Sequence, residues 1–157
     1  MVTGEFVQDL GMQAPHELHV SATYFHDDQF AVDSHDTQVG SFSVGPRLRF
    51  KNLTITPKLN YANLRMSKQK LFEGYGAEIH LETPNVLPWK SPDGYFKARY
   101  TSEEFYATRE NPTANNLDGH RYEYEVGLKW KLDPKNLLTV SAGWNRKGAI
   151  GDTEDRY

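Results

Sequence analysis

The sequence predicts an all-β chain, an antiparallel up-and-down meander of seven or eight strands that forms a transmembrane β-barrel or part of a larger one. Three observations predict it. Apolar and polar residues alternate with a period of two along almost the whole chain, the connections between the alternating runs are by turns short and long, and aromatic residues gather at the ends of the apolar runs. Alternation alone fits any half-buried sheet, including a soluble sandwich or a lipocalin-like barrel. Unequal loops and banded aromatics favour the membrane barrel over these, since its two ends differ in loop length and its interfaces select Tyr and Trp.

The totals bound the alternatives. At 157 residues the chain is one domain long, but only 38% of it is hydrophobic and its mean hydropathy is -0.71, so a large dry core would have to be built from few apolar side chains. Nine Tyr, eight Phe and three Trp make up part of the deficit, as on half-buried β surfaces. The net charge of -3, the pI near 6.1 and the absence of a Lys/Arg cluster argue against a nucleic-acid partner. With no cysteine there is no disulfide frame and no thiolate metal site. No apolar run is long enough for a membrane helix, and hydropathy is blind to barrel strands because half of their residues face a polar lumen.

The elements follow in order. Residues 2 to 12 are weakly patterned, and Leu18, Val20, Ala22 and Tyr24 form the first clear alternating run. In residues 38 to 50 the apolar set Phe42, Val44, Pro46, Leu48, Phe50 faces away from Ser41, Ser43, Gly45, Arg47, Arg49. After a tight turn at Lys51 and Asn52 the pattern resumes as Leu53, Ile55, Pro57, Leu59 and Tyr61, which predicts Phe42 opposite Tyr61. Pro46 then lies opposite Pro57, and two prolines without ladder donors predict a bulge or a break there. Further runs are Tyr75, Ala77, Ile79, Leu81 and then Phe96, Ala98, Tyr100. Last comes a hairpin whose loop, Asp133 to Leu137, is expected to set Leu132, Trp130 and Leu128 opposite Leu138, Val140 and Ala142. No helix is predicted.

Short connections are expected around Gln13 to His16, at Lys51-Asn52 and at Asp133 to Leu137, and long polar ones at residues 27 to 37, at 107 to 119 and after Lys147. Arg65 to Lys70 on the long side and residues 83 to 94 on the short side are intermediate. Tyr24, Phe42, Tyr61, Tyr75, Tyr122, Tyr124 and Trp144 fall towards the long-loop side, and Phe50, Phe96 and Trp130 towards the short-turn side. Two such girdles around an aliphatic belt match a lipid interface on each side. The opposite face would line a lumen with Arg47, Arg49, Lys58, Glu78, His80, Glu82, Lys97, Arg99, Glu123, Glu125, Lys129 and Lys131. On this two-faced scheme Val126→Arg is expected to be costly and Gly127→Arg better tolerated.

Sites for chemistry are sparse. His26, Asp28, His35 and Asp36, with Asp27 and Asp33, sit in or beside one loop; their spacing matches neither a calcium loop nor a zinc motif, so no metal site is assigned. Glu103 and Glu104 are adjacent on a strand and so point to opposite faces, which argues against a paired acid and base. There is no G-x-S-x-G elbow and no cofactor motif, and an enzymatic role is not expected.

One resemblance adds to this. Leu117-Asp118-Gly119-His120-Arg121-Tyr122, then Trp130 with Asp133-Pro134, then Gly143-Trp144-Asn145-Arg146, resemble the C-terminal barrel of the surface lipoprotein assembly modifier (Slam) family. Residues 44 to 61 and 71 to 82 also look like successive barrel strands of that family. The resemblance implies an outer-membrane barrel of a Gram-negative bacterium, a translocon that helps deliver lipoproteins to the cell surface, with membrane lipid and lipoprotein cargo as partners. It also implies a periplasmic tetratricopeptide domain, which residues 1 to 157 do not contain, and a final amphipathic strand, which Ile150 to Arg156 do not provide. The expectation is therefore a single, porin-like and incomplete barrel domain over 1 to 157, against a closed eight-stranded barrel. Two alternatives stay open, a passive porin or polysaccharide-export barrel and a soluble β-sheet domain that binds a ligand.

Overall fold

A computed structural model describes residues 1–11, 15–27, 36–66, 69–86, 92–108, 112–133 and 135–149. Within them the chain makes eight strands: β1 Val2–Asp9, β2 Glu17–Asp27, β3 Thr37–Arg49, β4 Thr54–Met66, β5 Gln69–Thr83, β6 Asp93–Phe105, β7 Gly119–Lys131 and β8 Leu137–Ala149. They form one antiparallel sheet in sequence order, and β1 and β8 are its two edges. The sheet is open. Beside it lies a 3-10 turn, Ala114–Leu117, placed where the Asp118 carboxylate accepts from the Phe105 N–H at 2.5 Å.

The period of two holds the register. Phe42 pairs with Tyr61 and Leu48 with Ile55, while the Phe50 N–H donates to the Leu53 carbonyl at 2.8 Å to close the Lys51-Asn52 turn. Between Val44↔Leu59 and Leu48↔Ile55 the ladder is interrupted with its register kept, so the Pro46 and Pro57 site is a break and not a bulge. Gly45 permits it: a Cβ there would lie 1.9 Å from the Pro57 carbonyl oxygen, so the strands pass closer than any side chain allows. The bulge is elsewhere, at Leu64 and Arg65 against β5.

Three expectations need correction. That bulge lets β4 and β5 continue past Arg65, so the connection expected over Arg65 to Lys70 contracts to residues 67 and 68. In the last hairpin Trp130 pairs with Leu138 and Leu128 with Val140, two residues from the expected register and therefore on the same faces. Asp133 is the cause. Its carboxylate accepts from the Lys135 and Asn136 backbone N–H groups at 2.8 and 2.9 Å and from the Asn136 amide at 2.6 Å, and the loop closes early. Finally, β8 runs beyond Lys147 to Ala149.

Burial is the unusual property. Among the described residues the buried aliphatic side chain is Ala114, at 6% exposure, and the fully buried ring is Pro92, in the connection between β5 and β6. The large apolar side chains are outside: Leu59 is 65% and Val126 56% exposed, and Phe42, Tyr75, Ile79, Tyr124 and Trp144 are exposed with them. Glu78 and Glu103, by contrast, are only 8% and 5% exposed. In a single layer, one face is covered more than the other only if the sheet curls towards it. Here it curls towards its charges.

Candidate functional site

The enclosed face is made by odd-numbered residues of β1 to β3 and β6 to β8 and by even-numbered residues of β4 and β5, the parity reversing at the turns. It carries all twelve of Arg47, Arg49, Lys58, Glu78, His80, Glu82, Lys97, Arg99, Glu123, Glu125, Lys129 and Lys131. The pairing brings most of them together. Lys58, Glu78, Arg99 and Glu123 are cross-strand neighbours on four successive strands, so their signs alternate across the sheet.

Arg99 donates to Glu78 through Nε at 2.8 Å and Nη2 at 2.5 Å and lies 3.5 Å from Glu123; Lys97 is 3.5 Å from Glu78. Two rows towards the short turns, Glu82 accepts from Arg47 at 3.2 Å and Lys129 at 2.9 Å, on β3 and β7, each two strands away. Glu17 holds Arg49 and His19, both at 3.0 Å. The Tyr95 hydroxyl donates to Glu125 at 2.7 Å, and its ring lies under Lys129 Nζ at 4.8 Å. A half-enclosed charge is tolerable only when paired and hydrogen-bonded, and these carboxylates are.

Several members of this face are not in the predicted set: Glu17, His19, Tyr95, Glu103, Arg121 and Lys147. Glu103 accepts from Arg121 at 2.6 Å and is 2.7 Å from Lys147, while Glu104 turns to the other face, where the Tyr106 hydroxyl donates to it at 3.0 Å. Arg121 and Lys147 stand at strand ends that alternation leaves ambiguous. The usable signal is their matching charge one row beyond Glu123 in the register.

The face changes character along its length. Beyond the Glu78–Arg99 ladder the row is neutral on β2 to β6, Ser21, Ser43, Asn60, Gly76 and Thr101, before it continues into Arg121 and Lys147 on β7 and β8, and near the long-loop end lies an apolar row, Phe25, Val39, Leu64, Phe72 and Phe105, directly paired across five strands. Phe72 and Phe105 are in contact, ring centroids 5.0 Å apart.

The opposite face carries Phe42, Tyr61, Tyr75, Tyr122, Tyr124 and Trp144 towards the long loops and Phe96 and Trp130 towards the short turns; Phe50 lies in the turn after β3, near His16. Neighbouring rings pair: Tyr61 with Tyr75 at 6.1 Å, Tyr100 with Tyr122 at 5.3 Å and Tyr124 with Trp144 at 5.6 Å. Tyr100 thus joins the band through its pairing with Tyr122. At its margin Glu73 accepts from the hydroxyls of Tyr61, Tyr75 and Tyr106 at 2.6, 3.3 and 3.1 Å and pairs with Lys70.

Of the four weak metal candidates, His26 is the penultimate residue of β2, stacked on Tyr24 at 6.5 Å, and Asp36 precedes β3, while Asp28 and His35 lie outside the described residues. No group of three potential ligands forms among the described residues. No family model, no curated protein and no solved structure matches the chain.

Proposed function

We propose that the chain is a segment of a β-barrel in a Gram-negative outer membrane, one that conducts or assembles a polar cargo and does not transform it. The observation that carries this reading is the inverted burial. A protein in water hides its apolar face, at about 25 cal/mol per Å² removed from solvent, and rarely leaves exposed a continuous apolar patch beyond a few hundred Å². This sheet leaves its apolar face bare from Phe6 to Trp144 and encloses Glu78 and Glu103.

In a bilayer the same arrangement is the favoured one, with lipid against Leu59, Ile79 and Val126 and a polar lumen along the ion pairs. From Phe42 to Phe50, roughly 8 residues at about 3.3 Å each with a tilt near 40°, the belt is on the order of 20 Å tall, close to an outer-membrane hydrophobic band. The ion pairs are a wall that holds its shape; no nucleophile and base are aligned among them.

The resemblance of 117–146 to Slam-type barrels makes lipoproteins the proposed cargo. A passive porin or polysaccharide-export barrel is the second reading, favoured by the neutral hydroxyl row. The test of the membrane assignment is extraction and electrophoresis. The chain is expected to partition into detergent and to migrate differently before and after boiling; a folded monomer in plain buffer without detergent overturns the assignment.

A further inference from the structure

We infer that the apolar face holds one anionic lipid of the surrounding bilayer, its phosphate headgroup against Arg146 and a tail in a groove across the paired prolines. The inference rests on the membrane reading and deepens it, by giving one lipid a defined site.

The groove has a volume of about 740 Å³ and crosses the strands from β2 to β7. Its shape follows from which side chains are short. Two neighbouring rows of the apolar face meet there, Leu59–Ala77–Tyr100–Tyr122 and Pro57–Ile79–Ala98–Tyr124. Ala77 and Ala98 leave a gap beside Tyr100 and Ile79, and the compact rings of Pro46 and Pro57 extend it to Leu18.

The groove descends through the belt. Tyr24 on β2 and Trp144 on β8 both belong to the long-loop girdle, yet the row that starts at Trp144 reaches β2 at Leu18. From Tyr24 to Leu18 is six residues towards the short turns, about 20 Å along the strand at about 3.3 Å per residue. That is the path of a tail hanging from the interface.

At its girdle end the groove meets a second pocket, of about 500 Å³, through Tyr122 and Tyr124, which line both. His120, Trp144 and Arg146 also line it, and Arg146 lies two residues beyond Trp144 towards the long loops, at headgroup level. The arginines of the enclosed face, Arg47, Arg49, Arg99 and Arg121, each meet a carboxylate. Arg146 meets none among the described residues, and Glu73 and Glu104, acids of the same face, stand three and two strands away, holding Lys70 and Tyr106. A guanidinium binds phosphate bidentately, and basic groups at a membrane surface draw anionic lipid. Headgroup pocket and tail groove join at one pair of tyrosines, so a single molecule fills both.

Native mass spectrometry of the 157-residue chain, released from a non-ionic detergent, tests this with dioleoyl phosphatidylglycerol, dioleoyl phosphatidylcholine and glycerol 3-phosphate. One phosphatidylglycerol per chain is expected, held more tightly than phosphatidylcholine, with no binding of glycerol 3-phosphate by itself. Arg146→Gln is expected to weaken phosphatidylglycerol about five- to tenfold and to abolish the preference over phosphatidylcholine. Ala98→Phe, which fills the groove from the lipid side, should weaken both lipids, and Lys131→Gln, which removes a cation from the enclosed face, should change neither. Heat-modifiable migration of each variant shows that it is folded. If the natural chain migrates as a barrel but binds the two lipids equally, binds glycerol 3-phosphate alone, or is matched by Arg146→Gln or Ala98→Phe, the lipid site is overturned and the membrane assignment stands. If the chain is a folded monomer in plain buffer, both fall.

Discussion

Glu78 and Glu103 are carboxylates that a protein keeps this enclosed only by surrounding them with donors, Arg99 and Lys97 for one and Arg121 and Lys147 for the other. Removing either acid strands two cations on a half-covered face. Glu78→Ala and Glu103→Ala are each expected to destabilise the fold by about 1.5 to 3 kcal/mol, and Glu5→Ala, whose carboxylate is well exposed, to change it by less than about 0.5 kcal/mol, measured by urea unfolding in detergent or lipid. On the other face Val126→Arg is expected to cost about 2 to 4 kcal/mol in a bilayer and nothing comparable if that face meets water. The counterpart expected from alternation, Gly127→Arg, is no control, because a Cβ at 127 lies 2.5 Å from the Tyr95 ring. Thr139→Arg replaces it, being exposed and on the enclosed side, and is expected to be tolerated. Alternation placed Gly127 on the correct face but carried no information about Tyr95 lying across it.

Among the elements, the last hairpin separates local from long-range control. Parity alone put Trp130 and Leu138 on one face, but the register was set by the turn, where Asp133 collects three donors in four residues. The Asn136 amide, followed by the Lys135 backbone N–H, holds the Asp133 carboxyl below its ordinary value. A lowered folded-state value means a stabilisation present above the unfolded carboxylate range and lost as pH falls through the folded one. The stability difference between the natural chain and Asp133→Ala is therefore expected to be constant near neutral pH and to shrink below about pH 4, read from denaturant midpoints across pH. The paired prolines predict a second local effect. The β3–β4 positions in the break are the two prolines, which have no N–H, so the amides of Leu48 and Ile55, isolated between the break and the turn, should exchange with solvent faster than those of Phe42 and Tyr61, measured by hydrogen exchange. The prolines were legible as a fault in the sequence, but its form, a break and not a bulge, depended on Gly45 letting the two backbones close up.

For the whole molecule, the eight-strand meander and the two faces were readable because a period of two is a local property that each strand writes for itself. Boundaries were less so: β4, β5, β7 and β8 run further than alternation suggests, since a ladder continues as long as its neighbour does, through Arg65 past the bulge and through Lys147 opposite Arg121. The candidate site was legible as a set of twelve charged residues and not as an arrangement. Which acid meets which base, as in Glu82 reaching Arg47 on β3 and Lys129 on β7, depends on curvature and on register summed over several strands. The Ser43–Asn60–Gly76 row is invisible in the sequence for the same reason, its members being scattered over 80 residues from Ser21 to Thr101 and of types that occur in any strand. By itself, then, the sequence determined that this protein is an antiparallel sheet with one greasy and one charged face, because side-chain direction alternates with every residue. Only the tertiary structure decided that the charged face is the enclosed one, because the direction in which a sheet curls is a property of all eight strands at once.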